Sequence, residues 1–265
     1  MQALLAQLEP APGDPAANAA RAAEVVVAHP EADLVVLPEL FLSGYDLARA
    51  RETAVNLDGG ELATVRAAAE AADTAVIVGF GERRGGGAVA NALACIDARG
   101  DVAAVYRKLC LFGAEADVFE AGDELVLAEL GEHRVGPLIC FDMEFPEPAR
   151  ALAAAGADLL VTAAANMEPF FADHLIASQA RALDNRLPHL YVNRAGCEGG
   201  LEFVGGTRAL AADGSVVAEV RGHGEAELST EVAEPGTDDE RLDYLAQIPR
   251  ELKVRTRTTT RGASR

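Results

Sequence analysis

Residues 134–147 read RVGPLICFDMEFPE. RVGPLIC has the composition of a core strand, and PEPARALAAAGA behind it reads as a helix. Cys140 stands at the junction, with Glu144 four residues on. Alone, this cysteine has two readings. It is either a buried thiol closing a core strand, the commoner case, or a nucleophile on a strand-to-helix turn. The choice depends on whether the rest of the chain supplies a base and a cation for it.

Working outward, the same alternation recurs. QALLAQL (2–8) reads as a first strand. GDPAANAARAAEVVVAHP reads as a helix, with Asp14 as N-cap and Pro15 in the first helical position. ADLVVLPEL is a short, nearly continuous apolar run, the pattern of a strand buried on both faces. ELATVRAAAEAA (61–72) is a helix and TAVIVGFGER a strand. GGGAVANALACIDARGDVAAVYRK contains two strands joined by a turn at Gly100–Asp101, and a loop runs on to about residue 122. DLLVTAAA is a strand, DHLIASQARALDNRL a helix and PHLYVNRAG a strand. GGTRALAADGSVVAEV and AELSTEVA read as a closing antiparallel pair. Strands alternating with helices predict an α/β architecture, and the hairpins predict mixed sheets. Two halves of similar character predict a four-layer αββα sandwich. A single domain is expected over 1–253. The cationic segment 254–265 reads as a disordered tail.

The chain has 265 residues, is 50% hydrophobic and carries a net charge of −19. Such a surface repels phosphate backbones and anionic membranes, so neither nucleic acid nor membrane is an expected partner. Aromatics are only 5% and Trp is absent, which leaves few platforms for stacking bases. Cys95, Cys110, Cys140 and Cys197 form no CxxC pair and have no histidine at metal-ligand spacing, so neither zinc nor a disulfide framework is expected. Cys95 and Cys197 read as packing residues, as does Cys110. There is no leader-like start and no apolar run of about 18 residues, so a reducing cytoplasm is the expected location.

A cysteine nucleophile needs its thiolate, which requires a base or a cation nearby. The five histidines, His29, His133, His174, His189 and His223, do not lie in a Cys-His protease pattern. Two other residues stand out. Glu39 in LVVLPEL and Lys108 in VYRKL end apolar strands where a charge is expensive without a role. Ligands of α/β sheets bind outside the carboxyl ends of strands. Three strand ends offering Glu39, Lys108 and Cys140 therefore define a candidate site, and Glu115 follows in FGAEADVF.

LPE, YRKLCLFG with its following Glu and Phe, and ICFDMEFPE resemble the three signature segments of the nitrilase superfamily, the carbon–nitrogen hydrolases. LDGGELATVRAAAEAADTAVIVGFGER, NALACIDARGDVAAVYRK and RALDNRLPHLYVNRAG also resemble family segments. DYLAQIPREL is similar to a late one, with Ile248 and Pro249 where arginines are usual. The resemblance covers nearly the whole chain. It implies Glu39 as general base, Lys108 as oxyanion stabiliser and Cys140 as nucleophile, with Glu115 as a second glutamate. It also implies an oxyanion contact from the Phe141 N–H, pocket lining by Asn166, Met167 and Phe170, no metal or cofactor, and at least a homodimer. Asp142, Glu144, Glu147 and Arg150 are expected to brace the turn by ion pairs, and the nearby helix start is expected to lower the thiol pKa.

Phe141-Asp142-Met143-Glu144 lacks the arginine that relatives acting on carboxylate-bearing substrates tend to carry after the cysteine. The stretch is closest to the amidase branch, acting on a small-molecule aliphatic or amino-acid amide, with Glu144 facing the pocket. Nitriles, N-carbamoyl compounds, ω-amides and acyl transfer are the alternatives on the same triad. A catalytically dead binding protein is the competing class, and the intact Glu-Lys-Cys set argues against it.

Overall fold

The computed structural model describes residues 1–232 and 244–247. The expected tail at 254–265 and the Ile248–Pro249 motif lie outside these residues. The first half of the chain contains β1 (Gln2–Gln7), α1 (Pro15–Ala28), β2 (Leu34–Val36), α2 (Ala50–Thr53), α3 (Gly60–Ala72), β3 (Ala75–Arg83), β4 (Val89–Ile96) and β5 (Val102–Arg107). The second contains β6 (Ala128–Leu130), β7 (His133–Ile139), α4 (Pro146–Ala154), β8 (Leu159–Ala164), α5 (Phe171–Asn185) and β9 (His189–Asn193). It continues with β10 (Cys197–Glu198), β11 (Leu201–Glu202), β12 (Arg208–Leu210), β13 (Val216–Glu219), β14 (Ala226–Glu231) and α6 (Tyr244–Gln247).

Two six-stranded mixed sheets result, ordered β14-β1-β2-β3-β4-β5 and β13-β12-β9-β8-β7-β6. Side chains alternate across a strand, so the continuous apolar runs feed two cores at once. Leu5, Leu34, Val36 and Ile77 from the first sheet meet Val135, Ile139, Leu159 and Val161 from the second. Their neighbours Leu4, Val35, Val76 and Val78 point the other way, beneath Val26 of α1 and Leu62 and Val65 of α3. On the far side Leu138 and Leu160 pack against Ala149, Leu152 and Ala153 of α4. The layers are therefore α, β, β, α, the sandwich expected from the sequence. Asp14 caps α1 by accepting from the Ala17 N–H, and Pro15 opens it. Among the described residues no helix is long and apolar enough to cross a membrane.

One pairing differs from the expectation. β12 pairs with β13, but β14 does not join them: it runs antiparallel to β1 in the other sheet. Hydrophobic alternation marks a strand without naming its partner, and the β14 register is set by the free edge of β1.

Candidate active site

Glu39, Lys108 and Cys140 each follow a strand end, as the sequence implied. β2 stops at Val36, and Pro38-Glu39-Leu40 turns across β3 with Leu40 in the left-handed region (φ 52°). This turn lies so close to β3 that a Cβ on Gly79 would stand 2.3 Å from the Pro38 carbonyl oxygen. Only glycine leaves room for it. Lys108 follows β5, and its backbone N–H donates to the Asn91 carbonyl at 2.9 Å. Cys140 follows β7 at φ 46°, a left-handed conformation that costs a residue with a Cβ about 1–2 kcal/mol. The strain turns the thiol out of the strand at the start of a 3₁₀ turn, Cys140–Glu144.

Asp142 holds that turn. Its buried carboxylate accepts from the Cys110 N–H (2.7 Å), the Tyr106 hydroxyl (2.8 Å) and the Ile139 N–H (3.1 Å). Burial lifts its pKa above the ordinary carboxylate range, against the pull of those donors and of Lys108. The bracing is thus by hydrogen bonds, and the expected ion pairs are not what carries it. Arg150 instead donates to the Asp184 carbonyl oxygen. Asp142→Asn sets an NH₂ against one of two backbone N–H groups, Cys110 or Ile139, that can only donate. It should lower stability by about 1–3 kcal/mol, read as a fall in the urea midpoint. An unchanged midpoint would remove Asp142 from this role.

The charged groups meet in a closed space. Lys108 Nζ lies 2.7 Å from Glu39 Oε1 and 2.9 Å from Glu115 Oε2, and all three side chains are wholly buried. Glu39 also accepts from Asn91 Nδ2 and from the Ala165 N–H, both at 2.7 Å. Glu115, in a 3₁₀ turn over Gly113–Asp117, accepts from the Tyr45 hydroxyl at 2.6 Å and the Phe112 N–H at 2.8 Å. Burial works against the charge on Lys108, but Glu39, Cys140 and Glu115 outweigh it and hold its pKa above the usual lysine value. Lys108 is therefore a permanent cation here. Cys140 goes the other way from the expectation. Burial first, then the negative charge of Glu39, raises the thiol well above its ordinary pKa, and Lys108 and the Ala165 N–H offset this only in part. The helix proper starts at Pro146, six residues on, so its dipole does not decide the matter.

Cys140 opens into a small pocket lined by Tyr45, Phe112, Phe141, Glu144, Ala165, Asn166, Met167, Phe170 and His174. Phe141, Glu144, Asn166, Met167 and Phe170 were expected there. Tyr45, Phe112 and His174 were not. Tyr45 and Phe112 lie a few residues from Glu39 and Lys108, a proximity that offered a usable signal. His174 lies on α5 and gave none. Phe112 packs edge-on against Phe141 and Phe170, with ring centroids 5.3 and 5.2 Å apart. Cys95 is buried, and burial pushes its thiol up to about 12. Cys197 is exposed, not a packing residue: on its short hairpin the neighbouring Glu198 takes the buried side, paired with Arg194 and the Tyr45 N–H. Among the described residues no group of three or more His, Cys, Asp and Glu is arranged to hold a metal ion.

The sequence profile described as carbon–nitrogen hydrolase matches residues 3–233. A protein called hydrolase in pqqF 5′ region, from Pseudomonas protegens, is 42% identical over 82% of this chain and 78% of its own. An (R)-stereoselective amidase from Pseudomonas sp. is 36% identical over 83% of this chain and 80% of its own. Among solved structures, the NitN amidase from Nesterenkonia sp. AN1 superposes with a TM-score of 0.83 at 28% identity, covering 94% of this chain and 96% of that one. A glutamate-to-glutamine variant of that amidase shows the result of Michael addition of acrylamide at its active-site cysteine. With the fold, the strand-end constellation and these likenesses together, the chain belongs to the carbon–nitrogen hydrolase family, in the amidase-like branch of the nitrilase superfamily.

Proposed function

We propose that the chain hydrolyses a small carboxamide to a carboxylate and ammonia through a thioester on Cys140. The observation that carries this reading is Cys140 on the pocket wall beside a buried Glu39 fixed by three donors and a Lys108 held between two carboxylates, with burial raising the thiol pKa. A protonated thiol is a weak nucleophile, so the reaction needs a base within the site. Glu39 takes the thiol proton as sulfur attacks the carbonyl carbon. The carbonyl π electrons move onto oxygen, where Lys108 and the Phe141 N–H stabilise them. Collapse breaks the C–N bond, and Glu39 returns the proton to the departing ammonia. A water molecule, deprotonated by Glu39, then attacks the thioester. Carboxylate leaves, and the cysteine recovers its proton. Glu115 holds Lys108 between two carboxylates.

The pocket is narrow, which supports a small substrate. Its walls are mostly aromatic and apolar, and Glu144 places a negative charge among them. That charge opposes carboxylate-bearing substrates such as carbamoyl amino acids. A cysteine-to-alanine variant of the Nesterenkonia amidase is in complex with butyramide, a neutral aliphatic amide, and that likeness favours the same class here. Ammonia release across amides, nitriles and carbamoyl amino acids tests the reading. Neutral or cationic amides should exceed carbamoyl amino acids by about tenfold or more in kcat/KM, the effect of roughly 1.4 kcal/mol of discrimination. A clear preference for carbamoyl amino acids would overturn the substrate assignment.

A further inference from the structure

Asn166 is 3% exposed and lines the pocket beside Cys140. Its amide nitrogen donates to the Phe170 carbonyl oxygen at 3.3 Å. Its Oδ1 is buried and has no partner. Leaving such an acceptor unpaired costs about 1–3 kcal/mol, so it calls for a donor from outside the protein.

The Tyr191 hydroxyl lies 2.9 Å from Nδ1 of His174, which also lines the pocket. His174 Nε2 lies 3.3 Å from Glu144 Oε1. His174, itself held by Tyr191, thus positions the Glu144 carboxylate.

Among the described residues no lysine or arginine lines this pocket. Lys108 is held between Glu39 and Glu115, a group that is itself net negative. Arg181, behind the turn, is engaged by Asp184 and by the carbonyl oxygens of Met143 and Glu144. Asp173 adds a further acidic group on the solvent side of Glu144. The wall therefore offers a carboxylate and an unpaired amide oxygen among the rings of Phe112, Phe141 and Phe170, whose faces also attract cations.

We infer that Glu144 and Asn166 Oδ1 form a subsite for an ammonium group on the substrate, so that amino-amides are the preferred carboxamides. This rests on the carboxamide hydrolysis proposed above. His174 is a positioning residue for that subsite.

Two matched pairs test it, each exchanging ammonium for methyl: 2-aminopropanamide against isobutyramide, and 3-aminopropanamide against butyramide. The assay is run at about pH 7, below the α-amino range near 8. In at least one pair the wild-type kcat/KM should favour the amine by about tenfold, and the preference should shrink as ionic strength rises. Glu144→Gln should cut that ratio by about tenfold. The ratio is the readout, so a slower variant still reports, and the wild-type ratio with its salt dependence stands alone if the variant does not fold. Equal or faster turnover of both methyl compounds by the wild type overturns the subsite and leaves the hydrolase reading standing. No turnover of any of the four overturns both.

Discussion

Cys140→Ala is expected to abolish ammonia release, by on the order of 10⁴-fold or more, with little change in the unfolding midpoint. The two effects separate because the cysteine does different things for chemistry and for stability. Its sulfur is the only atom proposed to bond to the substrate carbon, so alanine leaves the base and the cation with nothing to activate. For the fold, alanine has the same left-handed backbone requirement at φ 46°, so that strain is unchanged, and only one buried heavy atom is lost. Mass spectrometry of the quenched wild type during turnover should show a covalent acyl adduct, and the variant should show none. Retained turnover in the alanine variant would end the thioester mechanism.

Lys108→Ala should lose both activity and stability, which distinguishes it from the cysteine variant. Lys108 Nζ sits within 3.0 Å of both Glu39 and Glu115 in a site closed to water. Removing it leaves two carboxylates buried without their cation, a change that costs about 3–5 kcal/mol. It also removes the charge proposed to stabilise the oxyanion, for which a loss on the order of 10²–10³-fold in kcat is expected. The pH dependence gives the signature. In the wild type the folded-state pKa of Lys108 is raised, so its contribution to stability is fully present below about pH 10.4 and is lost only as pH climbs through the folded value. In the variant the repulsion between carboxylates is relieved by a proton. Its stability deficit should therefore shrink from about pH 8 to about pH 5. Urea midpoints at these two pH values measure it, and a deficit independent of pH would show that the paired carboxylates are not its source. Lys108→Met, which keeps most of the side-chain volume, separates lost packing from lost charge.

Much of the fold was legible because burial on both faces of a sheet leaves continuous apolar runs. ADLVVLPEL and RVGPLIC carry that mark, and the helices between them follow from it. Glu39 and Lys108 were legible for the related reason that a charge at the end of such a run is costly without a partner. β14 was not assignable to its sheet, since its alternation fits any free edge. His174 was not assignable either: one histidine on an amphipathic helix has no local pattern that ties it to Glu144 thirty positions earlier. Cys197 looked like a core residue by type and proved exposed, because on its short strand alternation turns Glu198 inward and Cys197 outward.

By itself the sequence determined the layered α/β architecture and the set of groups at three strand ends, since both are properties of apolar period and of residue type along the chain. Only the tertiary structure decided the protonation of Cys140, the fixed cation of Lys108 and the charge of the pocket wall. Those depend on burial and on distances of about 3 Å between residues far apart in sequence, and electrostatic energies at that range are set by position in space.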